Sequence, residues 1–125
     1  MILHLVLFKF NEPFEWGDHE VTDAETATRQ HPVHIKEIVG WACGRNVSDR
    51  KKAVDFAVIG LFESQETLAA FMTHPDHLHG VSKWQRIAHW QVLDLDIGSD
   101  TTKLSGLLDS WAEFDSALLE ELKVS

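Results

Sequence analysis

The chain has 125 residues and a formal net charge of −9, and 44% of it is apolar, including five Trp and seven Phe. That length suits one compact domain, that apolar content excludes a disordered chain, and the acidity without a basic block excludes a nucleic-acid partner that needs a positive surface. The lone Cys43 leaves no intramolecular disulfide to form and fits a reducing, cytoplasmic setting.

The first predicted element is a strand over residues 2–10, built from β-branched, aromatic and leucine residues. His4 shares its even face with Ile2, Val6, Phe8 and Phe10, while the odd face carries Leu3, Leu5 and Leu7. A strand apolar on both sides needs cover on both sides. The same stretch has no basic leader and turns polar after Phe10, so it reads as neither signal peptide nor membrane span. Pro13 and Gly17 then mark a turn, and Thr22 or Asp23 caps a helix running to about Gln30, which Pro32 interrupts.

A strand over 35–45, bent at Gly40 and Gly44, and a clearer one over 54–62 flank a turn at 46–49. Ser64 caps the next helix, whose buried stripe is Leu68, Phe71 and Met72. Pro75 breaks it; Leu78, Val81 and Trp84 recur at helical spacing beyond the break, and a last strand spans 88–95. The order is β-α-β-β-α-β, an α+β, ferredoxin-like unit over residues 1–98. Residues 99–125 read as a linker and an amphipathic helix striped by Leu104, Leu107, Leu108, Trp111, Phe114, Leu118 and Leu122. Three destinations are open to that stripe: its own domain, a second subunit, or a cavity mouth. Its acidic polar face argues against a membrane.

Two helices cover one face of such a sheet. The face expected to stay bare is the even one, lined by His4, Val6, Phe8, Phe10, Phe56 and Val58. An apolar patch of that extent implies association, and a twofold homodimer with facing sheets is the simplest closed solution. A cavity left by sheet curvature would receive His4.

The opening run Met1 to Phe10, the Gly44-Arg45-Asn46-Val47-Ser48 turn, the strand end Phe62-Glu63-Ser64 and the break His74-Pro75-Asp76-His77 together resemble the stress-responsive dimeric α/β-barrel (Dabb) domain family over about residues 1–97. The resemblance implies ferredoxin-like homodimers forming a dimeric α/β barrel, some without assigned activity and others, a polyketide cyclase and a hydroxynitrile lyase, using the cavity. It also implies a base at His77 and a nearby His at His4. The Tyr of the cyclase-like members falls on Phe71, a further pocket His falls on Phe56, and the chain has no Tyr.

Physically, a neutral imidazole in an apolar pocket accepts a proton from an activated carbon or hydroxyl, so His77 is the candidate base, with His4 orienting it or stabilising developing charge. Two other readings stand beside this one: His77 as a helix-start residue bonded to backbone, and His4 as a paired core residue. Val6, Phe8, Phe56, Val58, Phe71 and Trp84 are the expected lining for a small apolar oxygenated ligand. Arg45 or Arg86 would anchor an acidic group, His74 reads as structural beside Pro75, and His79 as peripheral. His77 and His79 do not share a helix face, and no zinc-protease or paired-cysteine pattern is present, so no metal or cofactor is expected. Cys43 reads as a small buried hydrophobe, Trp84 and Trp90 as core or interface, and Gly60 as relief at a bend or beside Phe56.

Three functional classes follow. The first is a cofactor-free lyase or cyclase with His77 as base; the second is a non-catalytic stress-related scaffold or hydrophobic-ligand-binding dimer. The third is an interaction protein recruiting a partner through the C-terminal helix.

Overall fold

The computed structural model describes residues 1–98. The domain assignment at 99–125 and the amphipathic helix lie outside the described residues.

Strand β1 (Ile2–Phe10) runs through the centre of a four-stranded antiparallel sheet of order β2-β3-β1-β4, with β2 at Gly40–Arg45, β3 at Phe56–Phe62 and β4 at Ala88–Asp96. Helices α1 (His19–Arg29), α3 (Gln65–Thr73) and α4 (Pro75–Gln85), with the short α2 (His31–His34), complete the β-α-β-β-α-β order. Each crossover joins two parallel strands that have a third between them. Crossovers of this type are right-handed, so both place their helices on the same face.

That face is the even one. Ile2, His4, Val6, Phe8 and Phe10 are all buried, whereas Leu3, Leu5 and Leu7 are half-buried. The expectation that the even face is bare is therefore corrected: the uncovered side is the odd one, where Ile59, Leu93 and Leu95 are 42%, 49% and 44% exposed. An apolar run on both sides of β1 carries no sign of which face the helices take; crossover handedness decides it. The barrel is corrected as well. The sheet is open, with β2 and β4 as its edges, because four strands span too little circumference to close around a filled interior, which takes about eight.

The core has two parts. Phe8, Phe10, Phe56, Val21, Trp84 and Ile87 pack at one end of the sheet; Ile2, Ile35, Phe62, Leu68 and Phe71 pack at the other. Burying each of these large side chains contributes roughly 1.5–3 kcal/mol. Glu25, buried on α1, accepts from Arg45 at 2.6 and 2.9 Å and from Arg29 at 3.1 and 3.3 Å, which fastens α1 to the edge strand β2. The Arg45 guanidinium, opposed by burial and helped by Arg29, holds the Glu25 carboxyl below its ordinary value.

Local boundaries shift where tertiary contacts intervene. α1 starts at His19, because Asp18 turns its carboxylate to the Glu15 N–H at 2.8 Å and its backbone carbonyl accepts from Thr22 N. Pro32 opens α2 within the first turn instead of only ending α1. β2 is confined to Gly40–Arg45, since Ile35 is drawn into the core as a plug. Ser64 and Thr67 form a reciprocal capping box at the start of α3. Among the described residues no helix is long and apolar enough to cross a membrane.

Candidate active site

A cavity of about 160 Å³ lies between the even face of the sheet and helices α1, α3 and α4. Its walls are mainly aromatic and aliphatic: Phe8, Trp41, Phe71, Trp84 and Trp90 with Val6, Val58 and Val92. The indole N–H groups of two walls are used internally. Trp84 Nε1 donates to Thr28 Oγ1 at 2.7 Å, and Trp41 Nε1 donates to the Thr28 carbonyl at 3.1 Å. What polarity the cavity offers a ligand comes chiefly from three imidazoles, His4, His31 and His77.

His77 owes its setting to the helix break. Pro75 separates α3 from α4, and His74, the N-cap of α4, accepts the Asp76 N–H on its Nδ1 at 3.1 Å. Asp76 N is the amide that a continuous helix would have sent to the Met72 carbonyl. That carbonyl instead accepts from His77 Nδ1 at 2.9 Å. A carbonyl only accepts, so Nδ1 carries the proton and Nε2 holds a lone pair. Burial pushes the His77 pKa below the ordinary imidazole value; the Met72 carbonyl and Asp76 oppose this, and His31 and His4 add to it.

His4 points inward from β1, directly across from Asp94 on β4, and its Nδ1 donates to the Asp94 carboxylate at 2.5 Å. On its other flank stands Gly60, where a Cβ would come within 3.0 Å of Phe62 and Trp41 rings. The missing side chain therefore makes room for Trp41 and Phe62, not for Phe56. His31 opens α2, is buried, and donates from Nδ1 to Asp76 at 2.7 Å. Phe71 stands among the three rings, with centroids 4.4 Å from His77, 5.8 Å from His4 and 6.2 Å from His31.

Of the residues singled out from sequence, His4, His77, Val6, Phe8, Val58, Phe71 and Trp84 line this one cavity. Phe56 does not; it is buried between Phe8, Trp16 and Trp84. Arg45 is tied to Glu25 with its guanidinium 4.1 Å over the Trp16 ring, and Arg86 lines a separate surface groove with His79. Cys43 is partly exposed on β2, and burial raises its thiol to about 11. His31, Asp76 and Asp94 were not singled out as one site from sequence. The signal for Asp94 was its place opposite His4 once the β1–β4 register is known. Among the described residues no group of three or more His, Cys, Asp or Glu is arranged to hold a metal ion.

An open ferredoxin-like sheet with a His-lined cavity beneath two split crossovers defines a class of small α+β domains. The family model "Stress responsive A/B Barrel Domain" (Dabb) matches residues 2–97, and the chain belongs to that family. An uncharacterized protein of Streptomyces coelicolor is 34% identical over 96 residues, which cover 77% of this chain and 99% of the relative. A dimeric ferredoxin-like protein of unknown function from Thermobifida fusca superposes with a TM-score of 0.68 at 23% identity, covering 77% of this chain and 90% of that one. The hydroxynitrile lyase of Passiflora edulis superposes at 0.67 with 16% identity, covering 78% and 94%. At these identities the structural likenesses establish the fold alone.

Proposed function

We propose that the protein is a homodimer that binds a small, largely apolar, oxygenated molecule in this cavity and acts on it as a cofactor-free lyase or cyclase. His77 is the general base. The observation that carries this reading is the Nδ1 bond to Met72, which fixes the tautomer and leaves Nε2 as an acceptor in an apolar pocket. His77 would take the proton of a substrate hydroxyl or activated C–H, a role worth typically about 10²- to 10⁴-fold. His4, braced by Asp94, would stabilise the negative charge that develops. The apolar odd face supports the homodimer, as does the dimeric Thermobifida relative.

The lyase of Passiflora suggests the first substrates to try, aromatic cyanohydrins, with release of aldehyde and cyanide followed together. Replacing His77 by Ala is expected to abolish turnover while the dimer persists. A variant as fast as the parent on a confirmed substrate would overturn the assignment.

One observation favours a second reading, a non-catalytic hydrophobic-ligand-binding dimer. Phe71 lies among the three imidazoles and brings no hydroxyl to polarise an oxygen. That reading predicts a bound ligand recovered unchanged.

A further inference from the structure

Thr28 takes no part in the chemistry assigned to the imidazoles, yet three hydrogen bonds meet on it. It is buried in the last turn of α1 and borders the cavity. Its Oγ1–H donates to the Ala24 carbonyl at 2.8 Å, which leaves the oxygen's lone pairs for the Trp84 indole N–H at 2.7 Å. Its backbone carbonyl is free as well, because the helical donor four residues on would be Pro32, which has no N–H. Trp41 Nε1 donates to that carbonyl at 3.1 Å.

These bonds link the sheet to the helix layer along one side of the cavity. Trp41 stands on β2 opposite Gly60, where a Cβ would come within 3.0 Å of its ring, so the indole lies close against the sheet. Trp84 stands on α4, and the side chains that this helix gives to the cavity, His77, Val81 and Trp84, recur with Gly80 at helical spacing. Trp84 follows His77 by about two turns, so a rotation of α4 about its axis carries both. The Lys83–Asp23 pair that also joins α4 to α1 lies at the surface, where such pairs contribute little.

We propose that Thr28 is a positioning residue of the ligand site: its hydroxyl, through Trp84, fixes the rotation of α4 and so the place where His77 meets a ligand, while its carbonyl holds Trp41 as the wall on the sheet side. This rests on the reading of the cavity as a ligand site, and the test separates the two. Valine in place of Thr28 keeps the shape and removes the acceptor. A buried N–H left unpaired costs more than its bond contributed, and the Trp84 indole regains an acceptor only by turning, α4 with it.

Benzyl alcohol is the probe, one hydroxyl for His77 Nε2 on a single ring, which an apolar cavity of about 150 Å³ takes. Its affinity would be measured by titration calorimetry on the full-length protein and two variants, under conditions where each is fully folded, so that lost stability alone leaves the affinity unchanged. Thr28→Ser keeps the hydroxyl and should bind as the parent does. Thr28→Val should bind about tenfold more weakly, the scale of one net hydrogen bond. In ¹H–¹⁵N spectra the Trp84 Nε1–H signal should shift in Thr28→Val and hold in Thr28→Ser, while the Trp41 signal, whose acceptor is backbone, holds in both. Parent-like affinity in Thr28→Val, or a Thr28→Ser as weak as Thr28→Val, would overturn the role of Thr28 and leave the cavity reading standing. If Thr28→Val does not fold, Thr28→Cys, whose thiol is a weak acceptor, takes its place: binding weaker than that of Thr28→Ser supports the role, and equal binding overturns it. Failure of benzyl alcohol to bind the parent protein would overturn the cavity reading, and the role of Thr28 with it.

Discussion

His77 donates its Nδ1–H to the carbonyl oxygen of Met72 across the backbone break at Pro75. Three consecutive features make that bond. Proline ends α3, the His74 ring takes the Asp76 amide, and the Met72 carbonyl is left without its helical partner. A helix break that would otherwise strand a carbonyl instead sets the tautomer of the candidate base.

His74 thus acts on α4 as a cap, and its replacement separates stability from chemistry. His74→Ala removes the acceptor for the Asp76 N–H and is expected to cost about 1 kcal/mol, the usual loss on deleting an N-cap. Chemical denaturation measures it. Activity on any confirmed substrate should survive, since His77 keeps its own carbonyl.

Gly80→Ala pits helix propensity against packing. Alanine in a helix interior is favoured over glycine by about 1 kcal/mol. The new Cβ would sit 2.8 Å from the buried His31 ring, which cannot shift without losing its 2.7 Å bond to Asp76. Overpacking of this kind costs typically about 1–3 kcal/mol, so the expected net effect is a lowered midpoint of thermal unfolding. A raised midpoint would mean that the His31 seat yields easily.

The element order was legible in the sequence because its punctuation is local: the Ser64 cap, the Pro75 break and the alternation of β3 are read from neighbouring residues. The face of β1 was not. Its odd and even sides are equally apolar, and the handedness of two crossovers, which lies outside the strand, assigns the helices to the His4 side. His31 and Asp76 meet across 45 positions, so no spacing announces them. Phe56 shares the even face with His4 but lies opposite Phe8, where Trp16 and Trp84 enclose it. Face was readable there; position along the sheet was not.

The uncovered odd face gives an assembly prediction. Leu93 pairs across from Leu5 and is 49% exposed, at the middle of that surface. If this side joins two copies, Leu93→Glu places a charge in a desolvated apolar contact, and sedimentation should show monomer at concentrations where the parent protein is dimeric. A dimer of unchanged affinity would move the interface elsewhere.

The titration of His77 also affects folding. Its pKa is lowered in the folded state, so at pH values between the folded and unfolded pKa the unfolded chain binds the proton more readily. The stability tied to the neutral ring is therefore fully present above about pH 6.5 and is lost as pH falls through the folded value. The base form is kept over the same range, so turnover should hold near neutrality and fall only on the acid side.

Long-range ¹H–¹⁵N spectra of the His77 ring, followed against pH, test the central claim most directly because they need no substrate. The expected result is a neutral ring protonated at Nδ1, with Nε2 bare, taking its second proton only below about pH 6.5. A ring carrying its proton on Nε2, or one already cationic above that pH, would contradict His77 as the base.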